Sequence, residues 1–190
     1  MATLADHLRQ TSDVLSRMAE QTGPAEDMAE KICQALRSGH KVVTCGNGGS
    51  AADAQHFAAE LVARFESERL ALPAIALSTD TSVLTAIAND YGFEQIFSRQ
   101  VQALVQPGDI LVAISTSGKS KNVLAAVHEA RRKKAWTVAL TGGTGGPLKD
   151  AADLCICVPS SRTAHIQECH IALIHAICAL VDEAFLAAIV

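Results

Sequence analysis

Apolar and polar positions follow two rhythms along this chain. Over residues 3–20, Leu4, Leu8, Val14, Leu15 and Met18 recur at helical spacing and predict an amphipathic helix. Thr22-Gly23-Pro24 stops it, and Pro24 suits the start of a second helix over about 25–38, closed by Ser38-Gly39-His40. Past residue 40 the rhythm changes to short apolar runs at 41–45, 74–77, 109–114, 136–140 and 154–158, each read as a buried strand. Helical stretches fall between them at 51–66, about 82–89, 94–105 and 121–134, with a turn near 147–150 and a last helix at 164–188. Such alternation implies an α/β fold, a doubly wound five-stranded parallel sheet flanked by helices. No linker, repeat or low-complexity segment interrupts it. The chain reads as a single domain, 1–190, with an N-terminal helical arm over 1–38 and an α/β core over 39–190.

The last helix breaks the amphipathic pattern. From Ile166 to Val190 its formally charged side chains are Glu168, Asp182 and Glu183 alone. With no polar face, it is expected to be buried nearly all round, in part against partner subunits of an oligomer. His165, Gln167, Glu168, His170 and His175 lie within it, and polar groups in so apolar a helix must be paired or functional.

Composition narrows the classes. Hydrophobic residues make up 49% and aromatics 4% of 190 residues, a core of small aliphatics suited to helices packed over a parallel sheet. A net charge of −4 and a pI of about 5.9 argue against a nucleic-acid partner. The basic run Arg131-Arg132-Lys133-Lys134 ends a predicted helix, where it complements the dipole. The six cysteines sit inside apolar segments, the pattern of reduced, buried thiols in a cytosolic protein. Cys155 and Cys157 share one strand face without the second pair a zinc knuckle needs. The N-terminus has no apolar leader, and no apolar run is read as membrane-spanning, so a cytoplasmic protein without a membrane partner is expected.

Chemistry concentrates where strands end, because ligands of doubly wound sheets bind there. Val42–Glu60 runs from a strand through Gly46-Asn47-Gly48-Gly49-Ser50 into a helix, so free backbone N–H groups and a helix dipole converge on that turn. The other strand ends are Ser78-Thr79-Asp80, Ser115–Ser120, Thr141–Gly146 and Pro159–Thr163, rich in hydroxyls and glycine. Hydroxyls and amides are what a sugar phosphate needs. Two motifs mislead. Gly46-x-Gly48-x-x-Ala51 meets the loose dinucleotide fingerprint, but Asp80 stands too far along for the ribose carboxylate. Ser117-Gly118-Lys119-Ser120 resembles the end of a triphosphate loop, yet Ala113 holds the first-glycine position within a strand. A loop of serines and a threonine opening a helix suits capture of a monophosphate.

His56 and Glu60 stand four apart, on one helix face. Gln167 and His175 climb one side of the last helix. Two imidazoles, a carboxylate and an amide oxygen suit a divalent metal, most naturally zinc. A surface pair at His56–Glu60, with His175 bonded to a backbone carbonyl, is the plainer reading of the same residues.

Long ordered blocks carry a resemblance: CGNGGSAADAQHFAAEL (45–61), LPAIALSTD (72–80), AIANDYGFEQIFSRQV (86–101), PGDILVAISTSGKSKNV (107–123), VALTGG (138–143) and HIQECHIALIHAICALVDE (165–183). Together they make the chain similar to the sugar-isomerase (SIS) domain family, and within it to the phosphoheptose isomerases. The resemblance implies an aldose–ketose isomerisation of D-sedoheptulose 7-phosphate to D-glycero-D-manno-heptose 7-phosphate through an enediol, the first step toward lipopolysaccharide heptose. It implies one zinc per subunit on His56, Glu60, Gln167 and His175, with Glu60 and His175 catalytic. It places the sugar phosphate on Asn47, Gly48, Gly49, Ser50, Glu60, Asn89, Asp90, Ser115, Thr116, Ser117, Ser120 and Gln167. It further implies a homotetramer with sites between subunits. A sister subgroup is non-catalytic and binds the replication initiator DnaA. That subgroup does not keep the positions matching Glu60 and His175, which this chain retains, as it does Tyr91-Gly92-Phe93.

Overall fold

In the computed structural model, which describes residues 3–186, two helices open the chain, α1 (Leu4–Ala19) and α2 (Gly23–Arg37). Thr3 starts α1 with a capping box: its hydroxyl accepts the Asp6 N–H, and the Asp6 carboxylate accepts the Thr3 N–H. Pro24 sits in the first turn of α2, where its missing N–H costs nothing. Strands follow at β1 (Val42–Gly46), β2 (Ala74–Ala76), β3 (Ile110–Ile114), β4 (Trp136–Gly142) and β5 (Leu154–Val158). The helices among them are α3 (Gly49–Val62), α4 (Thr81–Tyr91), α5 (Ser98–Leu104), α6 (Lys121–Arg132) and α7 (Gly146–Ala151), then α8 (Thr163–Leu186).

All strand pairs are parallel, in the order β2-β1-β3-β4-β5. Both faces are covered, which is why the strands read as unbroken apolar runs. One face buries Val42, Ile110, Val112, Ile114, Val138 and Leu140 beneath α2, α3 and α8. The other aligns Cys45, Ala113, Ala139 and Cys155 in one register row, small side chains that let α5 and α6 pack closely. Each fully buried Leu or Ile contributes about 1.5–3 kcal/mol.

Several element ends differ from the pattern-based reading, and each has a local cause. The helix expected over 51–66 runs from Gly49 to Val62. Buried Arg69 takes over the carbonyls at its end, donating from Nη2 to Glu60 (2.7 Å) and from Nη1 to Leu61 (2.9 Å). The carboxylate of Asp182 in turn accepts Arg69 Nε–H at 2.6 Å and the N–H groups of Glu66 and Ser67 at 3.0 Å. The helix expected over 94–105 splits into a 3-10 turn at Phe93–Gln95 and α5. Positions 187 and 188 of the last predicted helix lie outside the described residues.

Helix α8 corrects the expectation that no run has the length and composition of a membrane span. An 18-residue window within its 24 residues has a mean hydropathy of 1.7, so by length and composition it is apolar enough to cross a membrane. Here it packs against α1, α2 and α3. Within one chain Ile166, Cys169, Leu173, Ile174, Ile177 and Val181 face inward, while Ala164, Ala176, Ala179 and Leu180 remain exposed.

Candidate active site

Strands β1 and β3 are neighbours whose crossovers leave in opposite directions, and the crevice between their carboxyl ends is the ligand position of such sheets. A cleft of about 310 Å³ opens there. Asn47, Gly48, Gly49 and Ser50 line one side, Ser115, Thr116 and Ser120 the other, and Thr163 and Gln167 of α8 close the end. Asn47 and Asn122 lock the two loops together with reciprocal amide bonds, 2.8 Å each way. Asn122 was not singled out from the sequence; its signal is a buried amide two residues into a helix that follows the serine loop.

The serine loop is shaped for an anion. Ser115 Oγ lies 2.9 Å from Ser120 Oγ, and Ser120 is the N-cap of α6 with no side-chain cap bond of its own. The hydroxyls and the helix N-terminus therefore face the same space. Gly118 makes the turn at φ +63°, and a Cβ there would overlap the Gly145 carbonyl. Gly49 packs against the Gln167 side chain, whose amide nitrogen a Cβ would approach to 2.5 Å and displace. Ser117 is exposed and accepts the Lys119 N–H at 3.2 Å, and Lys119 faces solvent.

Two turns along α3, a second group assembles. His56 Nε2 lies 3.3 Å from Glu60 Oε1 and 2.9 Å from His175 Nε2, so α3 and α8 together bring three of the four predicted metal residues into contact. Phe65 stacks on His175 at 5.6 Å between ring centroids. Asp53, one turn before His56, has an Oδ2 without a partner among the described residues, and burial pushes its carboxyl up to about 6. His56 Nε2 is within reach of both Glu60 and His175, and these donor types suit zinc, but the three side chains do not form a compact ligand cluster in the single chain. Gln167, the fourth predicted ligand, sits in the cleft against Gly49, and no hydrogen bond joins it to the trio among the described residues.

Asn89 and Asp90 are not brought into this cleft. They lie exposed on α4, where Asn89 Nδ2 donates to Asp90 Oδ1 at 2.8 Å. Asp80, the displaced ribose carboxylate of the dinucleotide decoy, caps α4 by accepting the Val83 N–H at 2.9 Å. Sequence reasoning assigned no partner to a further cluster. Among the described residues, His7, His165 and Glu168 hold their ligand atoms within 4.8 Å of one another, a possible metal-binding site.

The SIS domain model matches residues 6–142. A phosphoheptose isomerase of Roseiflexus sp. is 53% identical over 179 residues, 94% of this chain and 91% of that one. A phosphoheptose isomerase of Nitratiruptor sp. is 59% identical over 158 residues, covering 83% and 84% of the two chains. The solved structure of phosphoheptose isomerase GmhA from Neisseria gonorrhoeae superposes with a TM-score of 0.90 at 46% identity, covering 95% of this chain and 97% of that one. With matches of this length and identity across sequence and structure, the chain belongs to the SIS-domain family and, within it, to the phosphoheptose isomerases.

Proposed function

We propose that this sugar-phosphate isomerase converts D-sedoheptulose 7-phosphate to D-glycero-D-manno-heptose 7-phosphate, the entry into lipopolysaccharide heptose, in the cytoplasm. The observation that carries the reading is one helix serving two jobs. Helix α3 opens at Gly49 on the anion cleft and presents His56 seven residues later, about 10 Å along its axis. An extended seven-carbon sugar phosphate spans a similar distance, about 10 Å from phosphorus to C1.

In this reading Ser115, Thr116, Ser117 and Ser120 and the N-terminus of α6 hold the phosphate. Asn47 to Ser50 and Gln167 meet sugar hydroxyls. Glu60 takes a proton from C1 of the open-chain ketose and returns it to C2. His175 moves the hydroxyl proton from O1 to O2, so the C1 alcohol becomes the aldehyde as the C2 ketone becomes the alcohol. His56, Glu60 and His175, with Gln167 reaching in, would hold one zinc per subunit. When bound, zinc would polarise the substrate carbonyl. A carboxylate tightly held by metal is a poorer base, so Glu60 holds the ion loosely. The exposed aliphatic stripe of α8 and the exposed Asn89–Asp90 pair suit a homotetramer whose sites lie between subunits.

An isomerase assay on sedoheptulose 7-phosphate and a pull-down with DnaA, run on one preparation, test the reading. Turnover without capture of DnaA is expected. Capture of DnaA without turnover of any sugar phosphate would overturn the reading in favour of a non-catalytic binder.

A further inference from the structure

Where α1 crosses the first turns of α8, three metal-ligating side chains meet outside the candidate active site. His7 Nε2 lies 2.7 Å from Glu168 Oε1, and the His7 and His165 rings meet edge to face at 4.8 Å. Ligand atoms of all three residues fall within 4.8 Å of one another. We propose that His7, His165 and Glu168 form a second metal site, for a divalent transition ion of the zinc class, which clamps the N-terminal helix onto α8.

The donor set is two imidazoles and one carboxylate, which selects zinc or its neighbours over calcium or magnesium. Hydrogen bonding alone satisfies Glu168, whose second oxygen accepts the Thr11 hydroxyl at 2.6 Å. It does not satisfy His165. That side chain is only 3% exposed, and its Nε2 has no hydrogen-bond partner among the described residues. A buried, unpartnered imidazole beside a carboxylate and a second imidazole points to a missing ligand. Thr11 supplies the outer contact such sites need: it orients the Glu168 carboxylate while donating also to the His7 carbonyl at 3.1 Å. The adjoining hollow, about 370 Å³ and lined by Asp13, Ser160, Arg162 and His165, leaves room for a water as fourth ligand.

The site joins residues far apart in the chain, so the unfolded chain cannot preform it and metal binding adds to folding stability.

The test uses the full chain, free of any tag and stripped by chelator, titrated with Co2+ as the probe and followed by its d–d absorption. The wild type is expected to bind two equivalents. A His56→Ala/His175→Ala chain, which lacks the candidate active-site donors, is expected to bind one and to gain thermal stability on adding Zn2+. Adding His165→Ala, or His7→Gln on the half-exposed side of the cluster, is expected to weaken that remaining site at least tenfold. If His165→Ala does not fold, His7→Gln decides alone. A folded His56→Ala/His175→Ala chain that binds no Co2+ would overturn the proposal, as would binding undiminished by His7→Gln.

Discussion

His56 and His175 meet nitrogen to nitrogen at 2.9 Å, although 119 residues separate them. At that distance the Nε2–H of one ring donates to the bare Nε2 of the other, which occupies both of these nitrogens. A metal or a substrate oxygen would relieve both, and Glu60 stands 3.3 Å from His56 to take part. The meeting depends on α8 lying along α3, so the packing that builds the core also builds the candidate site.

The serine loop should act through binding. Ser115→Ala and Ser120→Ala each remove a hydroxyl from the space at the start of α6. A hydrogen bond to a charged oxygen is worth about 1.5–3 kcal/mol, so each change should raise KM for the sugar phosphate about tenfold or more with kcat less affected. Steady-state kinetics on the two variants checks this.

Asp182 should be among the costliest positions to change. Its carboxylate holds the buried Arg69 guanidinium, which in turn holds the backbone carbonyls of Glu60 and Leu61. Asp182→Asn leaves that cation unpaired in the interior, a loss of about 3–5 kcal/mol. Denaturant unfolding should show the loss, and the folded fraction should turn over more slowly because the turn carrying Glu60 is no longer anchored.

His170 predicts an acid limit to stability. Burial pushes it down to about 4 from 6.5, against the opposing pull of the Thr141 carbonyl, which accepts its Nε2–H at 3.0 Å. The unfolded chain binds the proton first, so this contribution is fully present above pH 6.5 and is lost as pH falls toward 4. The full effect is roughly 3 kcal/mol. Unfolding followed between pH 7 and 4 should show the slope, and His170→Gln should flatten it.

The sheet was readable because the central strands β1, β3 and β4 are covered on both faces and therefore appear as apolar runs, and the edge strand β5 also falls at 154–158 as expected. Helix ends were less readable, since distant residues set them: α3 stops where Arg69 and Asp182 intervene. Within the site, the His56–Glu60 pair follows from helical spacing alone. Its junction with His175 depends on how α8 packs, which no local pattern records: residue types left it one of two readings, and the family resemblance favoured it. Asn89 and Asp90 came from the resemblance too, and one chain leaves them exposed away from the cleft. His165 was marked as a polar residue in an apolar helix, but its neighbour His7 lies at the other end of the chain.

Glu60, in the proposed reaction, moves the carbon-bound proton of a ketose phosphate, and NMR of sedoheptulose 7-phosphate incubated with wild type and Glu60→Gln is the deciding measurement. Signals of the aldose phosphate should grow with the wild type. With Glu60→Gln they should be absent while the variant still binds the ketose. An unchanged ketose spectrum with the folded wild type, or equal rates for the two proteins, would contradict it.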